Sequence, residues 1–206
     1  TTGQGSCGYF GTSVSRAGDV NNDNFDDVIV GAYGLNSNDG RIYVYFGGST
    51  MNNTIDVSIS GSGAGDFGYS VSDAGDVNSD GYDDVMAGAP SSGSGSFFVY
   101  HGGSSMDTIA DKSATGESSG DRFGHSVSGA GDLNNDLLPD QLVGANEFSA
   151  SAGNIYVYLQ TDTAFIIARI IPEGFYNVAN QLNVSDTVTI YLHSNSSPFN
   201  VIDSST

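Results

Sequence analysis

The stretch GDVNNDNFDDVIVGA, residues 18–32, places Asp19, Asp23, Asp26 and Asp27 within nine residues and runs straight into an apolar segment and a small-residue turn. Like charges packed this densely repel and hold a loop open unless something offsets them. The chain repeats the arrangement twice more, and that repetition decides the fold.

YFGTSVSRAGDVNNDNFDDVIVGAY (9–33) returns as DFGYSVSDAGDVNSDGYDDVMAGAP (66–90) and as RFGHSVSGAGDLNNDLLPDQLVGAN (122–146). Phe10, Phe67 and Phe123 are therefore 57 and 56 residues apart. Each copy continues through a Gly/Ser-rich turn into GRIYVYFGG, GSFFVYHGG or GNIYVYLQ, runs of alternating character rich in β-branched and aromatic residues, the mark of strands with unlike faces. Four strands fit each period, near 12–17, 28–32, 41–46 and 55–60 in the first copy. The expected fold is all-β, with three four-stranded antiparallel blades of propeller type, because a solenoid coil usually has a shorter period.

Within each copy, oxygen-bearing residues recur at alternate positions. They are Asp19, Asn21, Asp23, Phe25 and Asp27; Asp76, Asn78, Asp80, Tyr82 and Asp84; and Asp132, Asn134, Asp136, Leu138 and Asp140. Spacing by two along a tight loop turns successive side chains into one cavity, and the apolar seventh residue can offer only its backbone carbonyl. An all-oxygen set with three carboxylates suits a hard cation, and six to eight oxygens at flexible geometry favour Ca²⁺ over Mg²⁺. No His or Cys joins the set, which argues against zinc. Up to three Ca²⁺ are expected, moving the formal charge from -19 to -13. The competing reading, in which the acids merely cap turns, explains one loop better than three in register. The loop opens like an EF-hand, but position twelve, where an EF-hand has Glu, holds Val30, Ala87 and Val143. Leu137 occupies the sixth position, filled by Asn24 and Gly81 elsewhere, and Pro139 follows Leu138, so the third loop should bind most weakly. Asp26 and Asp83 fall outside the ligand pattern and are expected in solvent or behind the ligands.

The order Phe-Gly, Ser-Val-Ser, Gly-Asp with an acidic loop, then Gly-Ala-Pro resembles the FG-GAP repeat of integrin α-subunit propellers and of many secreted bacterial proteins. Residues 67–68 and 88–90 carry it in full; the other copies end in Tyr33 and Asn146. The resemblance spans residues 3–160 and implies a calcium loop joining the first two strands of each blade.

The remaining features bound the function. Five Lys plus Arg against 24 Asp plus Glu disfavour nucleic acid and anionic membrane surfaces as partners. No apolar run reaches the roughly 18 residues of a spanning helix, and the Thr1 start suggests a mature or excised piece. The single Cys7 admits no internal disulfide; a small packed side chain is the simpler reading, an intermolecular bridge the other. His101, His125 and His193 fall at unrelated repeat positions without a recognisable nucleophile, so no enzymatic role is expected, and full coordination by protein oxygens leaves little room for a hydrolase's substrate. Asn52, Asn183 and Asn195 head N-x-S/T triplets. Thr108, Thr163 and Thr187 lie in Asp-Thr-apolar triplets that resemble a bacterial O-glycosylation signal.

Beyond residue 160 the repeat stops. TAFIIARII, DTVTIYLHS and SPFNVIDSS read as strands of a partial sandwich or assembly element over 161–206, distinct from the 1–160 repeat region. Three blades fall short of the four to eight that close a ring, so either further sequence completes them or copies of the chain complete one another. The expected function is an extracellular, calcium-binding structural or adhesive protein of bacterial origin, a subunit of a surface fibre. The alternative is a module recognising glycans or surface proteins, cut from a larger secreted protein or enzyme.

Overall fold

The computed structural model describes residues 8–35, 38–148 and 153–160, together with the backbone of three later strands. Cys7, Asn183, Asn195, Thr163 and Thr187 lie outside the described residues. The first copy forms β1 (Ser13–Gly18), β2 (Asp27–Gly31), β3 (Arg41–Tyr45) and β4 (Val57–Ser60). The second forms β5 (Ser70–Gly75), β6 (Asp84–Ala89), β7 (Ser96–Tyr100) and β8 (Lys112–Thr115). The third forms β9 (Phe123–Gly131), β10 (Asp140–Ala145) and β11 (Asn154–Leu159). Each set is an antiparallel meander in chain order, as in propeller blades.

The fourth strand of the third sheet comes from beyond the repeat. β12 (Ile166–Ile170) pairs with β11 from Ile155↔Ile170 to Leu159↔Ile166, and β13 (Ile190–His193) and β14 (Val201–Ser205) extend the sheet. The end of the repeat pattern at residue 160 therefore falls between two paired strands of one sheet.

Neighbouring sheets pack face to face through their alternating apolar residues. Ile29, Ile42, Val44 and Val20 of the first sheet form one core with Phe67, Val71, Val85 and Ala87 of the second. Val77, Met86, Phe97 and Val99 of the second form another with Phe123, Val143, Tyr156 and Tyr158 of the third. The seams are tight because glycine meets glycine: a Cβ on Gly31 would strike the Gly68 carbonyl oxygen, and one on Gly88 would strike that of Gly124. Isolated parallel bridges, Gly40↔Phe67 and Gly95↔Phe123, stitch the second and third Phe-Gly turns to the preceding sheet. The Phe-Gly signature is thus a sheet-to-sheet joint.

Candidate metal loops and their surroundings

The three acidic loops join β1 to β2, β5 to β6 and β9 to β10. A bulge precedes each of them, between Arg16 and Gly18, between Asp73 and Gly75 and between Gly129 and Gly131. Gly18, Gly75 and Gly131 all take positive φ (73°, 68° and 66°), which a residue with a Cβ resists, and so turn the chain out of the sheet.

One hydrogen-bond pattern then builds each loop. The Asp19 carboxylate accepts from Asp23 N (2.9 Å) and Asn24 N (2.7 Å), Asn21 Oδ1 accepts from Asp23 N (3.0 Å), and Asp23 Oδ1 accepts from Phe25 N (3.0 Å). Asn21 Nδ2 donates to Asp23 Oδ2 at 3.1 Å. Asp76, Asn78 and Asp80 repeat this toward Asp80 N, Gly81 N and Tyr82 N, and Asp132, Asn134 and Asp136 toward Asp136 N, Leu137 N and Leu138 N. The fourth and sixth positions are left-handed in all three: Asn22 and Asn24, Ser79 and Gly81, Asn135 and Leu137.

The closing aspartates sit deeper. Asp27, Asp84 and Asp140 are wholly buried. Asp27 accepts from Val20 N (2.9 Å) and Gly47 N (2.7 Å), Asp84 from Val77 N and Gly102 N (2.8 Å each), and Asp140 from Leu133 N (2.7 Å) and Gln160 N (2.8 Å). Burial raises the Asp27 carboxyl above its ordinary range, against the pull of the Gly47 and Val20 N–H groups. The same burial pushes Asp84 to about 7. Asp132 moves the other way: burial lifts it slightly, but backbone N–H groups from Leu137 back to Asn134 draw it below the usual range.

The arrangement therefore gathers the first, third and fifth residues of each loop and sets the ninth behind them, on the backbone of the β-strand side. Among the described residues, no three Asp, Glu, His or Cys side chains converge into a metal cluster. The donor set nevertheless fits a hard cation, because every side-chain group is oxygen and each carboxylate oxygen that accepts one N–H keeps a second lone pair. Phe25, Tyr82 and Leu138, expected to contribute carbonyls, hold the seventh position with partly or largely exposed side chains.

Asp83, expected in solvent or behind the ligands, stands behind the first loop. Asp83 Oδ2 accepts from Asp19 N (2.8 Å) while Asp83 N donates to Asp19 O (3.1 Å), so the second sheet clasps the first loop from behind. Asp26, its counterpart, is exposed, and Pro139 fills the slot in the third copy, packed toward Gly75. The clue was an acidic pair, Asp26-Asp27 and Asp83-Asp84, in which only one member fits the ligand spacing.

The opposite ends of β1, β5 and β9 carry an aromatic ladder. Tyr9 stacks on Tyr33 (4.9 Å), Tyr33 meets Tyr69 (5.2 Å) and Tyr69 meets His125 (4.9 Å), with the Arg122 guanidinium 5.8 Å from the Tyr69 ring. His101 instead sits 3.4 Å from the Asp111 carboxylate. Asn52 and Thr108 are exposed, and Asn52 Oδ1 accepts from Thr54 N at 2.6 Å. Among the described residues no helix is long and apolar enough to cross a membrane.

Stacked antiparallel sheets of four to six strands, joined at Phe-Gly turns and carrying acidic loops, define a β-propeller repeat protein. Residues 10–45 and 67–103 match the FG-GAP repeat, so the chain carries FG-GAP repeats. It is 35% identical over 156 residues to integrin alpha-6 of Gallus gallus, covering 72% of this chain and 14% of that protein. Over 144 residues it is 39% identical to integrin alpha-7 of Homo sapiens, and over 148 residues 34% identical to integrin alpha-3 of Mus musculus, 66% of this chain in both cases. The chain spans 12% and 14% of the length of those two relatives.

Proposed function

We propose that this chain is a non-enzymatic, extracellular adhesion or recognition module whose three acidic loops bind Ca²⁺. The observation that carries the metal reading is the loop pattern itself, which repeats bond for bond in three copies although the intervening residues differ. In it, Asp19, Asn21 and Asp23 (and their counterparts) present side-chain oxygens, the seventh residue its carbonyl, and Asp27, Asp84 or Asp140 closes the set. The ion supplies the positive charge that lets three carboxylates share one turn. The loops act by rigidity, holding the strands that carry the contact surface.

Likeness to integrin α chains supports a protein partner and a cell-surface setting, and assembly of copies into a surface fibre belongs to the same reading. A recognition role for glycans or proteins is favoured by the aromatic ladder, which lies on the face opposite the loops and spans all three sheets. Calorimetric titration of the chelator-stripped chain with Ca²⁺ tests the metal reading. Up to three sites are expected, with one lost in each of Asp23→Ala, Asp80→Ala and Asp136→Ala; no binding at millimolar Ca²⁺ would overturn it.

A further inference from the structure

The turns that join β3 to β4 and β7 to β8 are built alike, and the first of them carries a triplet that its architecture does not require. In each, a carboxylate closes the base. Asp56 accepts from Phe46 N (2.8 Å) while Asp56 N donates to Val44 O (3.1 Å), and Asp111 accepts from His101 N (2.7 Å) while Asp111 N donates to Val99 O (3.0 Å). At each tip a side-chain oxygen takes the N–H two residues on: Asn52 Oδ1 from Thr54 N (2.6 Å) and Asp107 Oδ1 from Ile109 N (2.8 Å). A carboxylate serves this bond as well as an amide does, so the turn itself asks neither for Asn at 52 nor for a hydroxyl at 54. Asn52-Asn53-Thr54 is the only N-x-S/T triplet among the described residues.

The triplet is accessible, and its accessibility does not depend on what packs against the first sheet's far face. Asn52, Asn53 and Thr54 are all exposed and lie between strands. Their counterparts Asp107, Thr108 and Ile109 are exposed as well, although that turn lies against a neighbouring sheet through Met106, only 9% exposed in the core shared with the first sheet. Covering Met51, the 57%-exposed counterpart of Met106, would leave the tip in solvent in the same way. The turn stands at the acidic-loop end of the sheet, where Gly47 N donates to Asp27, and a bulky group there leaves the aromatic ladder at the other end clear.

We propose that Asn52 is an attachment site for an N-linked glycan. In the transfer, Asn52 Nδ2 forms a bond to the anomeric carbon of a sugar, and that carbon's bond to the phosphate of a glycosyl-phosphate donor breaks. The phosphate leaves with the bonding electron pair, and Nδ2 gives up one proton. Thr54 supplies the hydroxyl that completes the acceptor triplet. The site goes beyond the proposed function and takes from it only the extracellular setting.

Secretion of the full chain behind a cleavable leader from cultured eukaryotic cells, followed by peptide mapping before and after an amide-cleaving glycosidase, tests it. The peptide that contains residue 52 should carry the mass of a glycan, and the glycosidase should leave Asp at 52. Mapping reads this position separately from Asn183 and Asn195. Thr54→Ala should abolish the modification and Thr54→Ser should retain it. Asn52→Asp should abolish it with an unchanged circular dichroism melt, since Asp107 holds the same turn with a carboxylate. A secreted, folded parent chain that is bare at Asn52, or a glycan that survives Thr54→Ala, would overturn the proposal. Because the leader supplies the export, a bare Asn52 counts against the acceptor and not against the extracellular setting.

Discussion

Leu137 holds a left-handed backbone conformation (φ 73°) with a side chain 88% exposed. The conformation costs a residue with a Cβ about 1–2 kcal/mol, and so exposed a side chain recovers little of it by burial. Leu137→Gly should therefore stabilise the chain by about 1 kcal/mol, raising Tm by about 2–4 °C for a protein of this size. It should also tighten the third loop's hold on Ca²⁺, and Asp136→Ala should remove the weakest calorimetric site. His125 is a second residue whose setting decides its chemistry. Burial, aided by nearby Arg122, lowers its pKa below 6.5, with Glu147 opposing. A base depressed in the folded state contributes stability that is complete above 6.5 and lost as pH falls through the lower folded value. A proton NMR titration should place its midpoint below 6.5, and His125→Tyr, the residue found at Tyr69, should flatten the loss of stability between pH 7 and 5. The alternate spacing of the loop's Asp and Asn residues was legible because period two is a local property of a loop. The Asp83 clasp was not, because its partner belongs to another sheet and no spacing within one copy encodes it.

At the scale of elements, alternation and turn chemistry mark the strands to within a residue or two: 28–32 was expected where β2 spans Asp27–Gly31. The last three strands were legible too, since Ile166–Ile170, Ile190–His193 and Val201–Ser205 lie within the three runs read as strands. Their membership was not. A strand's pattern reports its own two faces and not its neighbour, so β12 read as the start of something new although it pairs with β11. The seams explain why Phe-Gly recurs. Gly88→Val would drive a side chain into the Gly124 carbonyl, which is backbone and cannot yield, so destabilisation on the order of 1–3 kcal/mol or more is expected. Gly103→Ala is the matched control, because its nearest neighbour, Ser105 N, lies 4.0 Å away. Urea unfolding of both should separate them by at least about 1 kcal/mol, and equal midpoints would mean that the glycine contact does not hold the seam.

The whole molecule carries a formal charge of -19, and eleven of its carboxylates belong to the three loops, nine of them at the alternating positions. Without cations these groups oppose one another, and the buried closing aspartates carry a desolvation cost that the raised Asp84 pKa of about 7 records. A ligand that binds only the folded state stabilises it by about 2.7 kcal/mol per site when present at 100 times its dissociation constant. Three such sites amount to about 8 kcal/mol, or about 15–30 °C at about 2–4 °C per kcal/mol. Melting in millimolar Ca²⁺ and in chelator should therefore differ by tens of degrees. Added NaCl at matched ionic strength should recover only a small part of the difference, since screening weakens repulsion between exposed charges without supplying oxygen-coordinated charge at the loops. Mg²⁺ at the same concentration should recover less than Ca²⁺, because it demands a near-octahedral shell and sheds water reluctantly. Equal melting temperatures in Ca²⁺ and chelator would mean that the backbone N–H groups already gathered on Asp19, Asp76 and Asp132 suffice to hold the loops. The threefold pattern would then be turn architecture and not a metal requirement.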